Sequence, residues 1–315
     1  MEFNGLIFRE LIKRGYSLEG KTRVWNIADS KLWYLTPEQA QAFLDLEENS
    51  PDYKRDLVQK EIDLIKENID NIVKKIGIKK PINVIDLGCG DGKKAVIFIS
   101  FLKDKLKVRY CPIDISNYMI ERAIENIKNL NHVEEIVEFQ WNVSDFENLE
   151  NVADLLRKGK FKNNFILLLG NTFGNFELNE LLYEVRSSMK EGDFLLIGNG
   201  LETKQPTEIL KAYDNDLLDN LLIKTLTQIG FKREDLEYGA RFRNSRVEMY
   251  YTVKRDLKIS FLGKNVSFNV GDQIVVALSY KYEAGDFRSF MQMYFDDVDF
   301  YVSKDEAYAL VLCKK

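Results

Sequence analysis

Ile82-Asn83-Val84-Ile85-Asp86-Leu87-Gly88-Cys89-Gly90-Asp91-Gly92 reads as an apolar strand running into a glycine turn. Apolar residues dominate from Ile82 to Leu87, and glycines follow at 88, 90 and 92. A helical pattern begins at once, with Ala95, Val96, Phe98, Ile99 and Leu102 spaced to share one side. Strand, glycine turn and helix in that order open a nucleotide-binding α/β unit. A glycine lacks Cβ, so the backbone can turn sharply and a ligand can approach it closely. The spacing Asp86-x-Gly88-x-Gly90-x-Gly92 is not the GxGxxG of a dinucleotide fold, and it lacks the GK[ST] ending of a phosphate loop.

Outward from the turn the chain alternates. A long amphipathic helix over residues 55–77 precedes it, with Leu57, Ile62, Ile65, Ile69, Ile72 and Val73 on its apolar side. After it come a strand at 108–115, a helix at 117–130, a strand at 136–141, a helix at 149–158, an apolar strand at 165–169, a helix at 178–190 and a strand at 194–197. This rhythm predicts a parallel sheet with helices on both faces. It breaks near residue 201. One or two helices are expected over 201–230, then antiparallel strands at 246–253, 257–262, 266–268 and 273–282, with a hairpin turn at Gly263-Lys264-Asn265. A helix at 287–294 and a strand at 308–312 close the chain. Residues 1–55 are mostly helical in tendency, and Thr36-Pro37-Glu38-Gln39 is a helix start with a capping box.

Composition narrows the function classes. The 315 residues carry a net charge of −5, from 45 Lys+Arg and 50 Asp+Glu. An acidic, well-mixed chain argues against nucleic acid, which needs a concentrated basic surface. Three scattered cysteines, Cys89, Cys111 and Cys313, make neither a disulfide framework nor a metal cluster, and a reducing, cytoplasmic setting fits them. No apolar run reaches membrane-spanning length, and no signal-peptide layout opens the chain. The single histidine, His132, sits in a polar connector, which leaves little for histidine or metal chemistry.

In an open α/β sheet, ligands gather at the carboxyl ends of the strands. The glycine turn there suits the methionine end of S-adenosylmethionine (SAM), although a tight turn without ligand has the same pattern. Cys89, inside the turn, reads as packing. Asp114 lies 24 residues past Gly90, where a carboxylate can accept from both ribose hydroxyls. Its alternative is helix capping. Asp145 and Phe146 offer an acceptor for an exocyclic amine and a ring to cover a base, with capping again the alternative. Gly170-Asn171-Thr172-Phe173-Gly174-Asn175 ends an apolar strand in glycines and amides. An amide carbonyl can accept from an amine without fixing it as ammonium, which leaves the lone pair that N-methylation needs.

Seven motifs then occur in order: Asp86-Leu87-Gly88-Cys89-Gly90, Tyr110-Cys111-Pro112-Ile113-Asp114-Ile115-Ser116, Asp145-Phe146, Gly170 to Asn175, Ala212-Tyr213-Asp214, Arg246-Val247-Glu248-Met249 and Ser279-Tyr280-Lys281-Tyr282. Together they resemble the histidine-specific Nα-methyltransferase family of the ergothioneine pathway, over nearly the whole chain. The resemblance implies an α/β fold: a class I SAM-dependent methyltransferase with a Rossmann-like sheet, over 56–200 plus 284–315. A smaller α+β substrate domain would cover 1–55 plus 201–283. It implies that Tyr53, the turn from Gly88 through Cys89 and Gly90 to Lys94, Asp114, Asp145, Phe146 and Gly170 hold SAM. Asn175 would hold the substrate amine and Tyr213 its carboxylate, in a pocket with Met249, Ala277 and Ser279. Tyr34 matches a further pocket tyrosine, expected to accept a proton or position water. There is one departure: the family reads the imidazole with a glutamate two residues before the serine matched by Ser279, and here that residue is Ala277. Losing a buried acceptor for a ring N–H weakens discrimination for histidine.

The expected activity is therefore SAM-dependent methylation of the α-amine of a small amino acid, histidine or an aromatic relative. The expected partner is that small molecule, with no nucleic acid, no membrane and no metal, and the expected state is a monomer. Two other readings use the same features: a nicotinamide-dependent oxidoreductase on the same sheet, and a non-catalytic protein that keeps SAM as a ligand.

Overall fold

The structure is a computed structural model that describes residues 3–77, 80–102, 106–138, 146, 148–203, 205–261 and 263–315. In chain order its strands are β1 (Tyr16–Glu19), β2 (Thr22–Asn26), β3 (Ile82–Leu87), β4 (Val108–Ile113), β5 (Glu135–Ile136), β6 (Asn163–Leu168), β7 (Phe194–Gly200), β8 (Leu236–Arg243), β9 (Arg246–Val253), β10 (Leu257–Phe261), β11 (Lys264–Phe268), β12 (Gln273–Tyr280), β13 (Asp297–Val302) and β14 (Tyr308–Lys314). The chain forms two compact units, residues 1–54 with 204–280 and residues 55–203 with 281–315.

The second unit is an α/β sheet in the order β13-β14-β7-β6-β3-β4-β5. Its strands β3 to β7 pair in parallel, while β14 runs antiparallel to β7 and to β13. Alternate residues of the central strands feed two faces. Ile85, Leu87, Cys111, Ile113, Ile166, Leu168, Leu195 and Ile197 join one core with the helices Leu149–Leu156, Leu178–Ser188 and Ala284–Tyr294. On the other face Phe98, from the helix Lys93–Leu102, meets Phe165 of β6 edge-on at 5.7 Å. Strands buried on both faces read as continuous apolar runs, which is why the sequence marks them. From β3 the chain steps outward to β4 and β5, then returns to place β6 on the other side of β3. That reversal is the topological switch point, and the turns after β3 and β6 both lie at it.

The first unit holds a five-stranded sheet, β1-β2-β12-β9-β8, and β10 pairs with β11 as a separate hairpin. The helices Pro37–Asn49 and Asp216–Thr227 pack together in this unit. The capping box at Thr36 and Gln39 forms as the sequence implies, and Asn215 caps the second helix through the Leu218 amide. A bulge in β12 falls between Val275 and Ala277, where the Trp33 indole donates to the Val276 carbonyl at 2.9 Å.

Several expectations need correction. The N-terminal segment contains β1 and β2, and β8 and β13 also went unread. All four are short or half-exposed, so they bury no continuous apolar run. The second expected strand stops at Ile113, one residue before Asp114. The expected strand at 136–141 appears as the pair Glu135–Ile136; its part beyond 138 lies outside the described residues. Lys264 and Asn265 are already paired in β11, so only Gly263 of that expected turn is loop, at φ 73°. Asn244 and Ser245, both at positive φ, close the β8–β9 hairpin.

Candidate functional site

β3 ends at Leu87, and the backbone then turns through Gly88, Gly90 and Gly92 at φ 65°, 51° and 75°. The amides of Gly88 and Cys89 donate to the Ile113 carbonyl at 2.8 and 3.2 Å, which fixes the turn to the end of β4. Two of the glycines are demanded by protein packing. A Cβ at 88 would lie 2.9 Å from the Thr172 side chain, and one at 92 would lie 3.0 Å from Ala123. Gly90 differs, because a Cβ there would meet none of the described residues within 4 Å. That open side is where a ligand can approach the backbone. The Cys89 side chain packs with Ile120 and Ala123.

Asp114 follows β4 and is buried. One carboxylate oxygen accepts from the Gly90 amide at 3.1 Å and the other from the Ser116 amide at 2.9 Å. Burial pushes its carboxyl up to about 6, against those backbone hydrogen bonds. Asp86 lies at the end of β3 and accepts from the Tyr110 hydroxyl at 2.8 Å. Burial pushes it up to about 7, with the Tyr110 hydrogen bond and the Lys94 charge opposing. Lys94 stands at the start of the following helix and pairs with Glu61 at 3.2 Å.

Past β6 the chain turns at Gly170 and Asn171, both at positive φ, into a 3-10 turn from Thr172 to Asn175. Asn171 is a structural tie: its carbonyl oxygen accepts from the Gly200 amide at 2.9 Å and from the buried Lys281 ammonium at 3.0 Å. Phe173 is fully buried in the core. Asn175 is half-buried at the end of the turn, and no described residue hydrogen-bonds its side chain. Phe146 is held at φ 78° with its ring 5.6 Å from that of Phe176. Asp145 lies outside the described residues.

In the first unit the sequence-predicted residues of the substrate pocket share one face of the sheet. The Tyr213 hydroxyl and the Ser279 hydroxyl hydrogen-bond at 2.9 Å, both buried. Tyr238 donates to the Tyr213 carbonyl at 2.7 Å, which fixes that residue's backbone. Ala277 stands opposite Met249 in the β12–β9 register, and both are buried. The Tyr53 ring meets the Tyr213 ring nearly at right angles, 6.3 Å between centroids. Tyr34 lies edge-on against Phe43 at 5.2 Å. Tyr53 is followed by a π-helical stretch, Lys54–Gln59, before the helix Lys60–Ile76 begins.

Sequence reasoning missed Glu61. It is wholly buried, and it hydrogen-bonds the Gly170 amide and the Tyr308 hydroxyl besides pairing with Lys94. The helix buries Glu61, Ile65, Ile69, Ile72 and Ile76, so a carboxylate occupies a core-facing position. That register was the available signal. Lys281, buried against Asn171, carried no comparable one.

The chemistry of these groups fits SAM. The second unit sets Gly90, the Lys94 ammonium, the Asp114 carboxylate and the Phe146 ring in segments that follow its parallel strands. Comparison with known proteins identifies a family. The model of the family described as histidine-specific methyltransferase, SAM-dependent, matches residues 47–315. A comparison with curated proteins finds no match. Among solved structures, the chain is similar to the PH0226 protein from Pyrococcus horikoshii OT3. The two are 17% identical, over 89% of this chain and 100% of that one, with a TM-score of 0.44. A putative methyltransferase from Thermobifida fusca YX is 9% identical over 91% of this chain and 94% of its own, with a TM-score of 0.47. A DhpI–SAH complex is 11% identical over 91% and 98%, with a TM-score of 0.38.

Proposed function

Because the chain belongs to the histidine-specific, SAM-dependent methyltransferase family, we propose that it methylates the α-amino group of histidine or a related aromatic amino acid. SAM, when bound, supplies the methyl group as an activated sulfonium. The second unit, as the cofactor domain, would hold it. Asp114 would accept from the ribose hydroxyls, Phe146 with Asp145 would receive the adenine, and Lys94 would receive the carboxylate. Gly88, Cys89, Gly90 and Gly170 would give backbone surface, and Tyr53 would complete the cofactor contacts.

The first unit, as the substrate domain, would select the acceptor. The observation that carries this reading is the buried Tyr213–Ser279 hydroxyl pair beside the apolar pair Met249 and Ala277. Two hydroxyls can hold a carboxylate, and an apolar wall suits a side-chain ring. Asn175 would accept from the amine and keep it neutral, while Tyr34 would take its proton or order water. Ala277 supplies no acceptor for a ring N–H, so an aromatic ring with little polar demand suits this wall better than imidazole.

The test mixes the protein with labelled SAM and single amino acids. Label should pass to an amino acid whose α-amine is free, and not to its N-acetyl form. Tyr213→Phe should raise the acceptor KM about tenfold and leave the SAM Kd unchanged. SAM binding without label in any amino acid would remove the acceptor from this reading.

A further inference from the structure

Glu61 lies in a place built to receive a charge. It is 0% exposed, on the same helix face as Ile65, Ile69, Ile72 and Ile76. Both carboxylate oxygens accept from the Gly170 amide, at 3.0 and 2.9 Å. The Tyr308 hydroxyl donates at 2.9 Å, and the Lys94 ammonium lies 3.2 Å away. Across the sheet, a Cβ on residue 198 would overlap a Glu61 oxygen, so β7 carries glycine there. A core position needs none of this for stability, because a buried ion pair rarely outperforms an apolar side chain of similar volume. Here a glycine is spent inside a strand to make room for the carboxylate.

Its partners show what that carboxylate is for. Gly170 follows β6, and Lys94 follows the turn after β3, so Glu61 joins the two turns of the switch point. We propose that Glu61 is a positioning residue of the cofactor site: it holds the Lys94 ammonium where the carboxylate of SAM is received. This rests on the reading of the site given above. An ammonium carries three donors, so one group can meet the Glu61 carboxylate and a second carboxylate together. The Lys94 side chain is only 18% exposed. Without the Glu61 carboxylate to hold it, the flexible lysine stem would swing its ammonium toward water. Lys93 does not replace it, since it pairs with Asp91 and is 56% exposed.

The test is calorimetric titration of the full chain with SAM and with decarboxylated SAM, which lacks only the carboxylate. Wild type should bind SAM more tightly than the analogue, and Lys94→Met should erase that preference. Glu61→Gln should weaken SAM about tenfold or more, yet leave the analogue within about twofold. Glu61→Asp keeps the charge but draws it back by one methylene; it should give a smaller loss, again confined to SAM. This second variant serves if the glutamine form does not fold. Equal loss of both ligands, or no loss, overturns the proposal, as does a wild type that shows no preference for the carboxylate. If wild type binds neither ligand, the reading of the site falls as well.

Discussion

At the scale of single residues, Asp114 and Asp86 tie the site to pH. Burial raises Asp114 from its ordinary 3.8 to about 6, and Asp86 from 3.8 to about 7. Between those limits the folded chain holds protons that the unfolded chain has released. Stability of the ligand-free protein therefore falls as pH rises through that window, by at most about 1.4 kcal/mol per unit for each group. A sulfonium ligand favours the ionised carboxylates, so SAM binding should tighten from about pH 5 to pH 7 and release protons. Calorimetry in two buffers of different ionisation heat measures that release, and Asp114→Asn should lower it and weaken binding. Gly198 makes a second prediction. Ala at 198 would drive a methyl into Glu61, so Gly198→Ala should cost about 2 kcal/mol or more in denaturant unfolding.

At the scale of elements, the parallel strands were legible and several of the antiparallel ones were not. β3 and β6 are apolar runs buried on both faces, and a run of that kind identifies itself in sequence. β13 is half-exposed along its whole length at the edge of the sheet, with Asp297 and Asp299 on it. Nothing in its own residues separates it from a loop until β14 pairs with it. The β8–β9 hairpin hides in the same way behind the polar dipeptide Asn244-Ser245. Both residues are left-handed there, at φ 50° and 53°. Glycine adopts that region without strain, so Ser245→Gly should raise stability by about 0.5–1 kcal/mol, read as a higher midpoint in urea.

At the scale of the whole molecule, the chain passes between its two units three times, and the smaller unit is assembled from its first 54 residues and residues 204–280. The seven-stranded sheet is that of a class I SAM-dependent methyltransferase, and the family match extends from residue 47 to the last residue. Among the described residues no helix is long and apolar enough to cross a membrane. A ligand that binds only the folded chain stabilises it by about 2.7 kcal/mol at a hundredfold excess over Kd. SAM at that excess should therefore raise the melting temperature by a few degrees, and NAD should leave it unchanged. Stabilisation by NAD in place of SAM would revive the oxidoreductase reading.

By itself the sequence determined the strand–turn–helix at Ile82 to Leu102, the order of the parallel strands' motifs and the reaction family. Those features are local: a period, a glycine spacing, a carboxylate at a strand end. Only the tertiary structure decided which glycine is open to a ligand and which are filled by Thr172 and Ala123. It alone set Glu61 against Gly170 and Tyr308, 109 and 247 residues away along the chain. A charged residue on a helix looks solvated in sequence. Whether water or a hydrogen-bonded interior surrounds it depends on segments that meet only after folding.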